Sequence, residues 1–189
     1  MKTFIRDVCD LFALNASEIG YYEKYSIATS SLIILITGIA YHLAMPVPAA
    51  NAIAGFILSV IIVNFVQSIV AALFLCLWLK IKKLSVSFSV LYSLPALAFV
   101  VNILVLPIHW LSVWFELPIL LALKVPLFIY SFIIMISAIS KSTNTSKGFA
   151  LSGILLTTLL VIIVSEAIHL LGVEMGILLP LEPFAANEL

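Results

Sequence analysis

Five stretches of largely apolar residues, Ser26–Ala44, Ala52–Leu79, Val86–Ile108, Leu117–Ile139 and Gly148–Leu171, make up most of this chain. Each reaches the roughly 20 residues that an α-helix needs to cross the hydrocarbon of a bilayer. In that solvent a segment must satisfy its own backbone N–H and C=O groups, and runs of this length do so as helices. The expected fold is therefore all-α, a polytopic membrane bundle of five transmembrane helices. An amphipathic segment, 1–25, precedes the 26–171 bundle, and a tail, 172–189, follows it. The chain is 64% hydrophobic and 10% charged, against about 45–50% and about 25% in soluble domains. Subtracting the spans from 189 residues leaves only short loops, so no separate soluble catalytic domain fits.

The connections Met45–Asn51, Lys80–Ser85, His109–Glu116 and Ser140–Lys147 are short, which makes successive helices antiparallel neighbours. The second stretch is longer than the hydrocarbon is thick and should tilt or project a turn beyond it. Orientation follows from the basic residues, which accumulate on the cytoplasmic side. Lys2, Arg6, Lys24, Lys80, Lys82, Lys83, Lys141 and Lys147, eight of the nine, fall on one side under strict alternation. The N terminus is thus expected in the cytoplasm and the C terminus outside. The sequons at Asn15 and Asn144 then face the cytoplasm and read as polar loop residues.

Within the first 24 residues Phe4, Val8, Leu11 and Phe12 recur at helical spacing, with Lys2, Arg6, Asp7 and Asp10 off the stripe. This predicts a short helix lying in the interface plane, with packing beneath the bundle as the alternative. The same charged residues leave no apolar core ahead of a small-residue cleavage site, so the N terminus is expected to be retained. Cys9 and Cys76 have no CxxC or Cys/His spacing and read as free thiols.

Ionisable groups inside spans are costly and call for partners. Lys124 lies seven residues from Leu117, and Glu166 five from Leu171, or roughly 10 and 8 Å below the outer helix ends. The matching depths predict an intramembrane ion pair. His42, His109, Glu116 and His169 gather near the same rim as a candidate outer-leaflet polar cluster. The histidines lack an H-x-x-x-H spacing, so no metal is assigned. Deeper, Asn64 and Asn102 lie at similar depth, roughly 22–24 Å from the inner ends of their helices. With Gln67 and Ser68 they are candidates for interhelical hydrogen bonds, and a substrate path is the other use of such groups. Pro95, Pro107 and Pro126 mark expected kinks or local gaps in the helical ladder. Trp78, Trp110 and Trp114 read as interfacial anchors.

The chain has no Walker A, H-E-x-x-H, G-x-S-x-G or zinc-deaminase signature, so an enzyme reading has no anchor and no cofactor is expected. A formal net charge of +0 and the lack of a basic arm exclude a nucleic-acid partner. The expected partners are the lipid bilayer and either a second copy or another membrane protein. The reading is a scaffold or membrane-organising protein; the alternative is a small transporter or channel component with a polar outer-leaflet site.

The stretch IVNFVQSIVAALFLCLWLKIKKLSVSFSVLYSLPALAFVVNIL, Ile62–Leu104, resembles the Yip family of Ypt/Rab-interacting membrane proteins and their bacterial relatives. The likeness lies in a polar-bearing helix, a short basic turn, a Ser-Phe start and a proline-containing third helix. The layout from about Asp10 to Leu171 is similar as well. The resemblance implies a five-span fold with a cytoplasmic N terminus, a trafficking or envelope-organising role and, for a bacterial-type relative, the inner membrane. It marks no catalytic residue.

Overall fold

All five apolar stretches are helices in the computed structural model, which describes residues 2–44, 49 and 51–179. The first-loop prolines Pro46 and Pro48, and Glu182 and Glu188 of the tail, lie outside the described residues. Helix α1 (Lys2–Phe12) is followed by a 3-10 turn, Ile19–Lys24. Helices α2 (Ile27–Ala44), α3 (Ile53–Lys80), α4 (Phe88–Trp114), α5 (Pro118–Ser142) and α6 (Lys147–Glu174) are each long and apolar enough to cross a membrane. No strand occurs among the described residues.

Helices α2, α3 and α5 pack around α4, and α6 packs on α3 and α5. Burial inside the protein separates α4 from the others: 67% of its most apolar window is buried, against 11–33% elsewhere. Every residue from Val90 to Ala98 is buried. Ser93, Ala96 and Ala98 keep this stretch narrow, which lets neighbouring backbones approach where lipid supplies no hydrophobic drive between helices.

Helix ends differ from the sequence reading in ways that local chemistry explains. The loop expected over His109–Glu116 is mostly helix, since α4 runs on to Trp114 and the turn needs only 115–117. Glu116 turns the chain with φ 53°. Ser146 caps α6, its hydroxyl accepting from the Phe149 N–H at 3.3 Å, and Ser87 caps α4 in the same way. Two of the three prolines mark distortions. A proline ring displaces the carbonyl four residues back, and the 3-10 stretches Phe99–Leu104 and Pro118–Leu123 contain those carbonyls, of Ile103 before Pro107 and Ala122 before Pro126. Around Pro95 the chain keeps its α form.

A further distortion has no proline. Ile57–Val63 is π-helical and ends at Asn64, whose amide donates to the carbonyls of Val60 at 2.8 Å and Ser59 at 3.1 Å. Widening the turn leaves these carbonyls poorly paired in the ladder, and Asn64 satisfies them. Gly38 of α2 makes room for it: a Cβ there would sit 2.8 Å from the Asn64 amide nitrogen.

Helix α1 is packed under the bundle. Leu11 and Val8 are buried and Phe4 and Phe12 half-buried in the core shared with α4 and α5, so of the two expected placements the stripe takes the one beneath the bundle, covered by protein.

Candidate functional site

The structure does not form the intramembrane pair Lys124–Glu166; the ion pairs among the described residues all involve Asp7. Helical phase accounts for the difference. Lys124 continues the inward stripe of α5 through Leu127, Ser131, Ile134 and Ala138, the last three buried. Glu166 lies on the outward face of α6 with Leu155, Leu159, Ile162 and Leu170, each more than half exposed. Equal depth therefore places the two charges on different sides. The double-mutant cycle of Lys124→Ala and Glu166→Ala should give additive effects, with coupling below about 0.5 kcal/mol; coupling of 1 kcal/mol or more in denaturant titrations of the purified protein would contradict this placement.

The outer polar residues also have separate surroundings. The Nδ1 atom of His42 lies 3.3 Å from the Ser59 hydroxyl, and its ring meets Phe56 edge-on. Glu116 is exposed in its turn and His169 half-buried. Among the described residues no three His, Cys, Asp or Glu side chains come together as a metal site.

Asn64 and Asn102 do not bond to each other. Asn64 is turned onto its own helix, while Oδ1 of Asn102 is buried with no hydrogen-bond partner, as is Nδ1 of His109. Asn102, Val105, His109 and Ser112 follow one another at i, i+3, i+7 and i+10, on one face of α4. Gln67 does bridge helices, donating to the Ser165 hydroxyl at 2.6 Å. Ser68 bonds within α3, to the carbonyl of Asn64.

The densest polar cluster lies at the basic end, centred on Asp7, whose position off the α1 stripe reads as solvent-facing. Asp7 is 2% exposed. Tyr25 and Tyr21 donate their hydroxyls to its two oxygens at 2.6 and 2.9 Å, and Lys24 pairs with it closely. Arg6 donates to the Tyr21 hydroxyl at 2.9 Å, and the Lys24 ammonium sits 3.5 Å from the centre of the Tyr21 ring. Burial alone would raise the Asp7 carboxyl; the hydrogen bonds from Lys24, Tyr25 and Tyr21 outweigh it and hold the group below the ordinary carboxylate range. Burial lowers Lys24, but its bonds to Asp7 and Tyr21 prevail and raise it. Burial and the Asp7 hydrogen bond push the Tyr25 phenol up.

From the other side α5 grips the end of α1. Tyr130 donates to the Phe12 carbonyl, and Ser137 and Lys141 to that of Leu14 at 3.4 and 2.5 Å. The 3-10 turn and the residue after it thus bring two tyrosine rings and a lysine onto α1, and the arrangement fastens the N-terminal segment to α4 and α5. No family model, curated protein or solved structure matches this chain.

Proposed function

We propose that this integral membrane protein is a non-enzymatic scaffold or membrane-organising component, with its N terminus in the cytoplasm, that associates through its helices with a second copy or another membrane protein. The observation that carries the reading is how the polar groups inside the bundle are used. Ser30 donates to Ser93 at 2.6 Å, Ser31 meets the Tyr92 hydroxyl at 3.1 Å, Gln67 reaches Ser165 and Asn64 closes its own π-turn. Side chains spent on one another bind helices together, whereas a transport path needs polar groups that face water.

Single cysteines at Asn64, Gln67 and Lys82, in a background with Cys9 and Cys76 replaced, test this with a membrane-impermeant thiol reagent. The expected outcome is silence at Asn64 and Gln67 from both sides and labelling at Lys82 from the cytoplasmic side alone. Labelling at Asn64 or Gln67 would defeat the scaffold reading, and labelling at Lys82 from outside would reverse the orientation.

One observation favours a transporter or channel component as a second reading, namely the unpartnered atoms of Asn102 and His109 on one face of α4. Labelling of a cysteine at Asn102 from outside would favour it. The resemblance to the Yip family suggests a trafficking or envelope role and a bacterial inner membrane. Its turn here reads KIKKLSVSF without a glycine pair, and the scaffold proposal rests on the bundle rather than on the family.

A further inference from the structure

At the basic end the α3–α4 turn and the α5–α6 turn stand side by side and enclose two clefts. The larger, of about 540 Å³, lies between Leu84–Val86, Lys141–Asn144 and Glu18. The smaller, of about 310 Å³, shares Leu84, Thr143 and Asn144 with it and opens towards Lys82 and Ser146. The hydroxyls of Ser142 and Thr143 are committed to the Ile139 carbonyl and the Lys141 ammonium to that of Leu14, so Lys82 is the lining cation left to this groove, beside the Ser85 hydroxyl and the Asn144 amide. Lys80, Lys82, Lys83, Lys141 and Lys147 all lie on these two turns or the helix ends they join, and none takes part in an ion pair among the described residues. Lys82 rests 5.6 Å from the Phe149 ring centre, its charge uncompensated by a carboxylate. Glu18 is the acid among the lining residues, at the edge away from Lys82.

We propose that this groove binds the phosphate headgroup of an anionic phospholipid. Cationic side chains at the end of a membrane bundle sit at the level of lipid phosphates, and basic pockets between helices at that level select anionic headgroups. Leu84 and Val86 line the groove, and Leu77, Ile81 and Leu151 are exposed apolar surface at the same end. Acyl chains attached to the phosphate therefore have apolar surface to follow, which a free phosphate does not use. The site needs only that the basic end meets a bilayer surface, and stands or falls separately from the scaffold reading.

The test uses the full chain in detergent, with retention of added phosphatidylglycerol and phosphatidylcholine counted by native mass spectrometry and followed by Tm. Phosphatidylglycerol should be retained at least about tenfold better. Lys82→Gln should lower its retention about fivefold and the double variant with Lys147→Gln about 25-fold, at about 1 kcal/mol per lysine. Lys82→Arg should restore it, and Lys124→Gln, at the other end of α5, should leave it unchanged. Equal retention of the two lipids, or an equal loss in Lys124→Gln, overturns the site. A Tm rise from glycerol 3-phosphate as large as that from phosphatidylglycerol overturns the lipid as its occupant. Retention of the Tm without lipid in Lys82→Gln shows that the variant is folded, so that its loss of lipid counts for the site.

Discussion

Asp7→Asn releases α1 from the bundle. The substitution keeps the side chain's shape but removes the charge that Lys24, Tyr21 and Tyr25 converge on. Hydrogen bonds to a charged group contribute about 1.5–3 kcal/mol, and several are weakened together, with Lys24 left facing a neutral amide. Amide exchange over residues 3–12 should accelerate about 10- to 100-fold, while exchange in the buried centre of α4 stays as it was. Cys9→Ser, on the exposed face of α1, serves as the control and should change nothing. Hydrogen exchange followed by mass spectrometry reads both regions at once. Unaltered exchange over 3–12 in Asp7→Asn would mean that the Val8 and Leu11 packing holds α1 without the polar cluster.

The same cluster sets a pH window for docking. Asp7 is lowered in the folded state, so its contribution is present above the unfolded carboxyl pKa and is lost as pH falls through the lower, folded value. Lys24 is raised, so its contribution is complete below the unfolded lysine pKa and is lost as pH rises through the higher, folded value. Docking of α1 is therefore flat across neutral pH and fails only in acid below the ordinary carboxylate range or in alkali above the ordinary lysine range.

Span length, apolarity and the alternation of basic loops can be read directly from the chain, because the bilayer imposes one requirement on every crossing segment. Which helix is central cannot be read so simply. All five are apolar, and the distinction lies in small residues such as Ser93, Ala96 and Ala98, which matter only against a particular neighbour. Depth arithmetic puts Lys124 and Glu166 at one level, but depth is one coordinate and helical phase is another. The stripe Leu155, Leu159, Ile162, Glu166, Leu170 was available in the sequence; that it faces outward emerges only from packing. Asp7 escapes a reading by pattern for the converse reason. An acid off the apolar stripe of an amphipathic helix is ordinarily solvated, and here Tyr21, Lys24 and Tyr25 cover it. The signal was present as three tyrosines and a lysine within five residues of a membrane entry point, too polar for the span and too aromatic for a solvated linker.

Trp78 has the position of an interfacial anchor, and its packing gives it a further task with a large measurable consequence. Its indole lies on Gly153 of α6, where a Cβ would come within 2.5 Å of the ring. The ring is stacked between Phe74 and Phe149 with centroids 6.3 and 5.2 Å away, and its Nε1 donates to the Phe149 carbonyl at 3.1 Å. These contacts leave the indole little freedom to yield. Gly153→Ala should therefore destabilise the protein by about 2–3 kcal/mol through overpacking, although alanine is the better helix former by about 1 kcal/mol. In a Trp78→Ala background the clash is absent, and the same Gly153→Ala change should be neutral or stabilising by up to about 1 kcal/mol. The cycle should show coupling of about 3 kcal/mol, in the range expected for residues in direct contact. Equilibrium unfolding of the four proteins in mixed micelles measures it. Additive effects would mean that α3 and α6 can slide apart at no cost, and that the contact of Trp78 with Gly153 does not fix the bundle's geometry.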